Sequence, residues 1–512
     1  MTERSPKGQG MVDEARVPLL ASPIAVPAIQ TPLPAPSHCT HCSWPWTYVV
    51  LLCITLSLVS DTGDYLYTAP RIRLLESVAC TQFYLQYDPS LVGRDGYVPE
   101  TLCKVDPVQN ELASVMGWQL FFDSIPAILL PLPFGYLADR FGRKWILVLS
   151  MVGFMLTWVS TLSIVGVFHW PLRYVWLSSL FNLIGGGSPI GTTMLTTIVA
   201  DVVPPELRST VFFYRFCADM IAEFLVSPIT SVLMRRNIWN PLLAAIGFQA
   251  CAIAVALILP ETLPDATSEQ EGTIPDEDSL ASSPIAETDD EPLLDMKSLN
   301  WLQRIKKSYG FVLRDAAVAA LVLTFLFSKF GRSANTVLLQ YASKRYGWDL
   351  AEAGLLLSLR AGVNLILYTI ILPFIINFIL SNKSAAYKDL LIGQASVVFM
   401  ALGGLILFAS WSAPLMITGL IVYTLGTGFP PVARSLVTYL VESHHESRTS
   451  DIGRLYALIS VMEGVGTLLA GPGMAWAFRW GMSLGPAWLG IPFGFSSILF
   501  ALIAVIVFRV KV

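Results

Sequence analysis

The decapeptide Gly135-Tyr-Leu-Ala-Asp139-Arg140-Phe-Gly142-Arg143-Lys144 places four charged side chains between two long apolar stretches. Residues 145–168, which follow it, contain no Asp, Glu, Lys or Arg, and residues 112–138, which overlap its beginning, contain only Asp123. About 20 consecutive apolar residues are enough to cross a bilayer as a helix. The charged part of the decapeptide is therefore predicted to be a short turn between two membrane-spanning helices.

The same pattern extends over most of the chain. Of its 512 residues, 54% are hydrophobic and 14% are charged, whereas soluble proteins have roughly 25% charged residues. Twelve apolar stretches are long enough to span a membrane, which is too many for a signal peptide. The predicted helices are residues 44–64, 111–138, 145–168, 172–201, 209–234, 240–259, 316–342, 351–380, 387–411, 413–441, 453–478 and 486–508.

Two polar segments interrupt this pattern. Residues 1–43 are rich in Pro, Ser and Ala and are predicted to be a disordered cytoplasmic tail. Residues 261–315 are predicted to be an acidic cytoplasmic linker, with an amphipathic helix over residues 296–315. We therefore predict an all-α membrane protein whose twelve transmembrane helices form two six-helix bundles, residues 44–260 and 316–512. Secondary transporters use such paired bundles around a central site.

The distribution of Lys and Arg predicts the orientation of the chain. These residues are more frequent on the side that carries both termini, which is therefore expected to be cytoplasmic. Cys80 and Cys103 share the polar loop after helix 1 and then face the outside, where they either pair or stay free.

Several functional classes are excluded by what the sequence lacks. The net charge of −4 and the absence of a basic stripe argue against a nucleic-acid partner. The sequence has no G-x-x-x-x-G-K-[ST] phosphate loop, which argues against an ATP-driven pump. No catalytic Ser/His/Asp set is recognisable, so neither an enzyme nor a cofactor is expected.

The decapeptide resembles the pattern G-x-L-A-D-R-x-G-R-K, found between helices 2 and 3 of the major facilitator superfamily. The resemblance implies the twelve-helix fold of that family. It also implies that Gly135, Asp139, Arg140, Gly142, Arg143 and Lys144 form a gating motif that holds the inner ends of the bundles together and releases them during transport. Glycine permits a tight turn, and Asp139 can accept hydrogen bonds or pair with Arg. A simple positive-inside anchor is the alternative.

Two further segments narrow the resemblance. Pro260-Glu261-Thr262 is similar to an ending of helix 6 that is common in fungal sugar and drug transporters of the family. Residues 76–118 resemble a fungal branch distantly similar to vertebrate folate and heme carriers, whose members often lie beside secondary-metabolite genes and are assigned to efflux.

The resemblance to this branch implies proton-coupled export of a small organic molecule. We expect a monomer embedded in the lipid bilayer of the plasma membrane, with the vacuolar membrane as the alternative. Uptake of a nutrient or vitamin-like solute, and a sensor that keeps the fold without transporting, remain open.

Two features depart from the drug/proton antiporters of the superfamily. Those proteins place an Arg before Q-G-x-G in helix 4, where this chain has Asn182 before Gly185-Gly186-Gly187. The segments Gly464-Val-Gly466 and Gly471-Pro472 resemble the Gly/Pro bend of antiporters, but they lie in helix 11 instead of helix 5. The residues that couple protons therefore cannot be transferred from those relatives.

Ten charged side chains fall inside the predicted helices, where a charge costs roughly 2.5–3.5 kcal/mol on insertion scales. We expect them to line a wet pathway in which acids exchange protons and cations bind a polar or anionic substrate. Fixed ion pairs that set helix register are the alternative. The ten are Asp61, Asp123, Arg215, Asp219, Glu223, Lys329, Arg332, Arg360, Arg434 and Glu463. Asp64 and Asp201 are expected at helix ends.

Two short motifs lie in the polar segments. His38-Cys39-Thr-His41-Cys42 has tight spacing but no second pair, so no metal site is predicted, and lipidation of its cysteines is an alternative. Asp289-Asp-Glu-Pro-Leu293-Leu294 resembles an acidic dileucine sorting signal, but chance is the better explanation in so acidic and flexible a segment.

Overall fold

The computed structural model describes residues 45–262 and 316–510, apart from residues 94, 95, 97, 205, 206, 382 and 445–448. The described residues contain twelve helices that are long and apolar enough to cross a membrane, which confirms the predicted number. In chain order, α1 to α12 are Trp46–Tyr87, Asp106–Leu129, Arg143–Val167, Leu172–Val202, Thr210–Arg236, Trp239–Ile258, Ala316–Tyr346, Leu350–Ile379, Ala386–Ala409, Ala413–Glu442, Arg454–Leu484 and Pro486–Arg509. The predicted tail, the motif at 38–42, the dileucine motif and the amphipathic helix at 296–315 lie outside the described residues.

The first helix is longer than the sequence predicts. Its predicted end is Asp64, but the helix continues to Tyr87, so the prediction that Asp64 lies at a helix end is wrong. Residues 65–87 contain no glycine, and Pro70 is tolerated within the helix. The charged residues that suggest a loop are buried partners: the guanidinium of Arg73 lies 3.0 Å from the carboxylate of Glu76 one turn later.

The second predicted helix is divided in two. The span α2 ends at Leu129, and a separate helix, Pro131–Phe141, carries most of the charged decapeptide. Proline lacks the N–H that would continue the hydrogen-bond ladder, and its ring clashes with the preceding turn. The closely spaced Pro131 and Pro133 therefore break the helix, whereas the single Pro126 remains within α2.

Glycines bring two helices of the N-terminal bundle into close contact. The start of α4, Leu172–Leu183, is a 3₁₀ helix, and it is followed by Gly185, Gly186 and Gly187 with φ of +82°, +75° and +68°. A side chain at Gly185 would collide with the backbone of Ser150 in α3. Only glycine fits where α4 contacts α3 at this point. The contact places the end of the 3₁₀ segment against α3.

Helices α1–α6 and α7–α12 form two bundles that meet along two seams. In the first seam, between α2 and α11, a Cβ at Gly117 would lie 2.7 Å from the carbonyl oxygen of Gly471. In the second, between α5 and α8, the hydroxyl of Ser358 donates to the carbonyl of Phe224 at 2.7 Å. The candidate pathway side chains lie along these seams and inside each bundle.

Candidate functional site

The end of the molecule that carries Cys80, here called the outer end according to the predicted topology, is held by a compact polar cluster. Cys80 in α1 and Cys103 form a disulfide, which ties the 3₁₀ turn Glu100–Lys104 to α1. Four ion pairs of 2.8 to 3.0 Å join Arg73 and Lys104 to Glu76 and Glu100. Because these side chains are largely buried, the pairs are screened less than surface pairs.

The outer cluster also joins the two bundles. Three contacts cross from the α1–α2 connection and the start of α2 to α7 and α8. They are the Lys344 ammonium to the Asp106 carboxylate (2.7 Å), the Gln340 amide to the Gln109 side-chain oxygen (2.9 Å) and the Leu350 N–H to the Glu100 carboxylate (2.8 Å). These contacts hold the two bundles together at the outer end.

At the opposite, inner end, the decapeptide is anchored within the N-terminal bundle. The backbone N–H of Arg143 donates to the Glu261 carboxylate at 3.0 Å, and the Arg143 guanidinium pairs with Asp201. Asp201 lies at the end of α4, as expected, and also accepts from the hydroxyl of Thr262 at 3.4 Å. The Pro260-Glu261-Thr262 ending of α6 thus positions the turn before α3.

The remaining residues of the decapeptide have different surroundings. Gly142 has φ of +100°, and a side chain there would collide with Glu261, whereas a side chain at Gly135 would meet open space. Asp139 and Arg140 are exposed, and within the described part of the chain neither forms an ion pair. Lys144 lies 5.6 Å from the ring centre of Trp145. Among the described residues, the hydrogen bond and the ion pair that Arg143 forms with Glu261 and Asp201 stay within the N-terminal bundle.

Three predicted pathway residues form a stripe on α5. Arg215 donates to the hydroxyl of Thr196, and Asp219 accepts a hydrogen bond of 2.8 Å from the hydroxyl of Tyr65. Glu223 is 2% exposed and pairs with Arg360 of α8. The Glu223–Arg360 pair crosses from one bundle to the other, so it lies where movement of the bundles would break it.

Asp61 lines a cavity of about 450 Å³ inside the N-terminal bundle. Its carboxylate accepts from the hydroxyl of Ser57 at 3.0 Å. Arg215 and Gln249 line the same cavity, and the amide nitrogen of Gln249 has no hydrogen-bond partner in the described part of the protein. The cavity therefore brings together Asp61 and Arg215, an acidic and a basic residue of the predicted pathway set.

Asp123 is held by neutral donors. Its carboxylate accepts from the hydroxyl of Ser179 at 2.7 Å, from the amide of Asn182 at 3.0 Å and from the amide of Gln119 at 3.1 Å. It also lines a cavity of about 480 Å³ between the bundles, together with Arg71 of α1. Asn182, the residue that departs from the antiporter pattern, thus binds a predicted pathway acid.

The C-terminal bundle has an excess of positive charge near the pathway. Arg434 of α10 pairs with Glu463 of α11 at 2.6 Å. Lys329 and Arg332 lie one turn apart on α7, and both interact electrostatically with Glu463 and Arg434. Gly466 lets α11 approach α7 beside Lys329, because a Cβ there would lie 2.6 Å from the backbone oxygen of Leu326. Three cations are therefore grouped around one carboxylate.

The predicted pathway residues form several separate groups in the structure. These groups also contain residues that the sequence does not indicate. Arg71 faces the cavity between the bundles, although the sequence pattern places it in a loop by ending α1 too early. Tyr65 is missed for the same reason. Gln119 could be identified from its position one turn before Asp123.

The fold and the charged seams point to one family. A sequence model of the Major Facilitator Superfamily matches residues 106–471. The chain belongs to the major facilitator superfamily. It is therefore a multi-pass membrane transporter of small molecules and not an enzyme, and both predictions are confirmed.

Curated relatives within the superfamily are fungal. The chain is 36% identical over 465 residues to the MFS efflux pump atnC of Emericella nidulans, covering 90% of this chain and 88% of that protein. It is 31% identical over 448 residues to the efflux pump ustT of Aspergillus flavus, covering 86% of this chain and 83% of that protein.

Solved superfamily structures share the fold at low sequence identity. The nucleoside transporter NupG superposes with a TM-score of 0.57 at 13% identity, covering 90% of this chain and 100% of that chain. A D-xylose–proton symporter superposes with a TM-score of 0.58 at 15% identity, covering 91% of this chain and 98% of that chain. The prediction of two six-helix bundles in the major facilitator fold is confirmed.

Proposed function

We propose that this protein exports a small organic secondary metabolite and that proton entry drives the export. The relatives named as efflux pumps, at 36% and 31% identity over most of both chains, support the direction of transport. The proposal places the protein in the plasma membrane as a monomer, with bundles at residues 44–260 and 316–512, a tail at 1–43 and a linker at 261–315.

The observation that carries proton coupling is the buried pair between Glu223 and Arg360. Glu223 lies on α5 and Arg360 on α8, so the pair spans a seam between the bundles. A neutral, protonated Glu223 would hold Arg360 much less strongly, because the charge–charge attraction would be lost. Proton uptake would thus loosen this seam, and proton release would restore it.

The cations of the C-terminal bundle support a polar or anionic substrate. Lys329 and Arg332 are half-buried and form no ion pair within 4.0 Å in the described part of the chain. A buried charge is stabilised when a partner of opposite sign is present. A carboxylate or phenolate of the substrate would supply that partner, while the decapeptide would join the inner ends when the pathway opens outward.

The direction of transport is tested by deleting the gene and measuring the metabolite inside and outside the cells. Export predicts that the metabolite accumulates inside and decreases in the medium. Uptake predicts a lower intracellular amount of the solute. An unchanged distribution, with the protein present in the wild type, would contradict transport of that metabolite.

Proton coupling is tested in proteoliposomes with an imposed pH gradient. Glu223→Gln removes the ionisable group, and we expect gradient-driven flux to fall on the order of tenfold or more. Glu352→Gln is the matched control, because Glu352 of α8 also pairs with an arginine of α5, Arg235, but at an exposed position. Glu463→Gln should also reduce the flux. Full gradient-driven flux in both Glu223→Gln and Glu463→Gln would exclude these two acids as proton carriers.

A further inference from the structure

A third cavity lies within the C-terminal bundle. It measures about 650 Å³, including space that is open to the surroundings, and is lined by α8, α9 and α10. Its walls are mainly apolar. They include Leu372, Pro373, Ile376, Ile392 and Val432. None of the ten predicted pathway residues lines it.

One buried carboxylate faces this cavity. Asp389 of α9 is 5% exposed, and one of its oxygens accepts a hydrogen bond of 2.6 Å from the hydroxyl of Ser435 in α10. The other oxygen, Oδ1, is buried and has no hydrogen-bond partner among the described residues. Asp389 also forms no ion pair with the part of the chain that the structure describes. An unpaired buried carboxylate oxygen is costly, so this site is chemically incomplete.

The irregular backbone of α8 shapes the cavity. Residues Leu367–Ile371 and Ile375–Ile379 form two π-helical turns, and Pro373 lies between them. Such turns widen a helix locally and are frequent at functional sites. On the opposite wall, Gly428 contributes no side chain. A Cβ at Gly428 would have its nearest contact at 3.4 Å, an ordinary van der Waals distance. Close packing therefore does not require glycine at this position.

We propose that this cavity binds a small lipophilic amine in its ammonium form. The apolar body would lie against the walls from α8 and α10, and an N–H of the ammonium group would donate to the free oxygen of Asp389. A charge-assisted hydrogen bond in an apolar enclosure supplies both orientation and affinity. None of the ten predicted pathway residues lines this site, so the proposal does not depend on the proposed direction or coupling of transport.

The test compares an amine with its neutral analogue on the full-length protein in lipid nanodiscs. Phenylbutylamine should bind saturably by calorimetry, and phenylbutanol should bind much more weakly. Asp389→Asn keeps the shape of the side chain but removes the charge. It should weaken amine binding on the order of tenfold or more, as expected for the loss of a hydrogen bond to a charged group. Glu463→Gln and Asp123→Asn, which alter the central acids, should bind the amine as the wild type does.

A second variant covers the case in which Asp389→Asn does not fold. Gly428→Val places a side chain at the cavity wall while leaving the carboxylate unchanged, and it should reduce amine binding. Equal binding of amine and alcohol, no saturable binding, or unchanged amine affinity in Asp389→Asn would overturn the proposal. Loss of binding in the central-acid variants with retention in Asp389→Asn would place the amine in the central pathway and would also overturn it.

Discussion

The side-chain amide of Asn182 in α4 donates a hydrogen bond of 3.0 Å to the carboxylate of Asp123 in α2. The amide oxygen of Asn182 in turn accepts from the hydroxyl of Thr157 in α3 at 3.0 Å. Asn182 therefore connects three helices of the N-terminal bundle. Its role is to hold a carboxylate that lines the cavity between the bundles.

Replacing Asn182 with Ala should destabilise the protein by about 1–3 kcal/mol, because buried partners lose their hydrogen bonds. The purified variant should unfold at a lower temperature than the wild type in the same detergent. Asn240→Ala is the control, since Asn240 is exposed at the start of α6. Equal unfolding temperatures for Asn182→Ala and the wild type would show that Asp123 does not need this donor.

The cross-bundle pair should be more sensitive to removal of one partner than of both. Glu223→Ala leaves Arg360 without its partner and should cost about 3–5 kcal/mol, whereas the double replacement of Glu223 and Arg360 by apolar residues should cost less. The exposed pair Arg235–Glu352 joins the same two helices, and breaking it should cost about 0–1 kcal/mol. A thermal-unfolding double-mutant cycle on each pair measures the difference. Similar coupling energies at the two sites would contradict the prediction.

Gly135 and Gly142 of the decapeptide should differ in how well they tolerate replacement by Ala. Gly142→Ala imposes a side chain on a positive φ and against Glu261, so we expect a loss on the order of 1–3 kcal/mol and reduced transport. Gly135→Ala is the matched control, because its side chain would meet open space within a helix. Transport and unfolding temperature should both be measured. Equal tolerance at the two positions would show that the turn before α3 can adopt another conformation.

The disulfide at the outer end should stabilise the folded protein. Cys80→Ser with Cys103→Ser should cost about 3 kcal/mol, as expected for a loop of this length. Reductant should lower the unfolding temperature of the wild type but not of the double variant. Cys251→Ser, at an exposed free cysteine, is the control. A wild-type unfolding temperature that does not respond to full reduction would contradict a stabilising disulfide.

The sequence predicts the number of helices well because each span must satisfy its own backbone in an apolar environment. The prediction of where a helix ends fails when polar side chains are satisfied by partners that are distant in the sequence. Arg73 and Glu76 suggest a loop, yet they are buried in α1 because Glu100 and Lys104 complete their charges.

The sequence pattern also does not indicate which charged residues pair with each other. The spacing of Arg215, Asp219 and Glu223 predicts a stripe on one helix face, and the structure has it. The spacing does not indicate that Glu223 pairs with Arg360, which lies 137 residues later in the chain. Asp389 gives no pattern at all, since its cavity depends on the packing of three helices.

The short stretch from Glu100 to Asp106 is fastened to α1 through Cys103 and contacts α7 and α8 through Lys344 and Leu350. Opening towards the outside must therefore separate α7 and α8 from a peptide that stays with α1. In the predicted orientation this peptide faces the medium. If the protein lies in the plasma membrane, as proposed, an antibody fragment that clamps the stretch onto α7 would arrest the cycle from outside the cell, without entering the pathway.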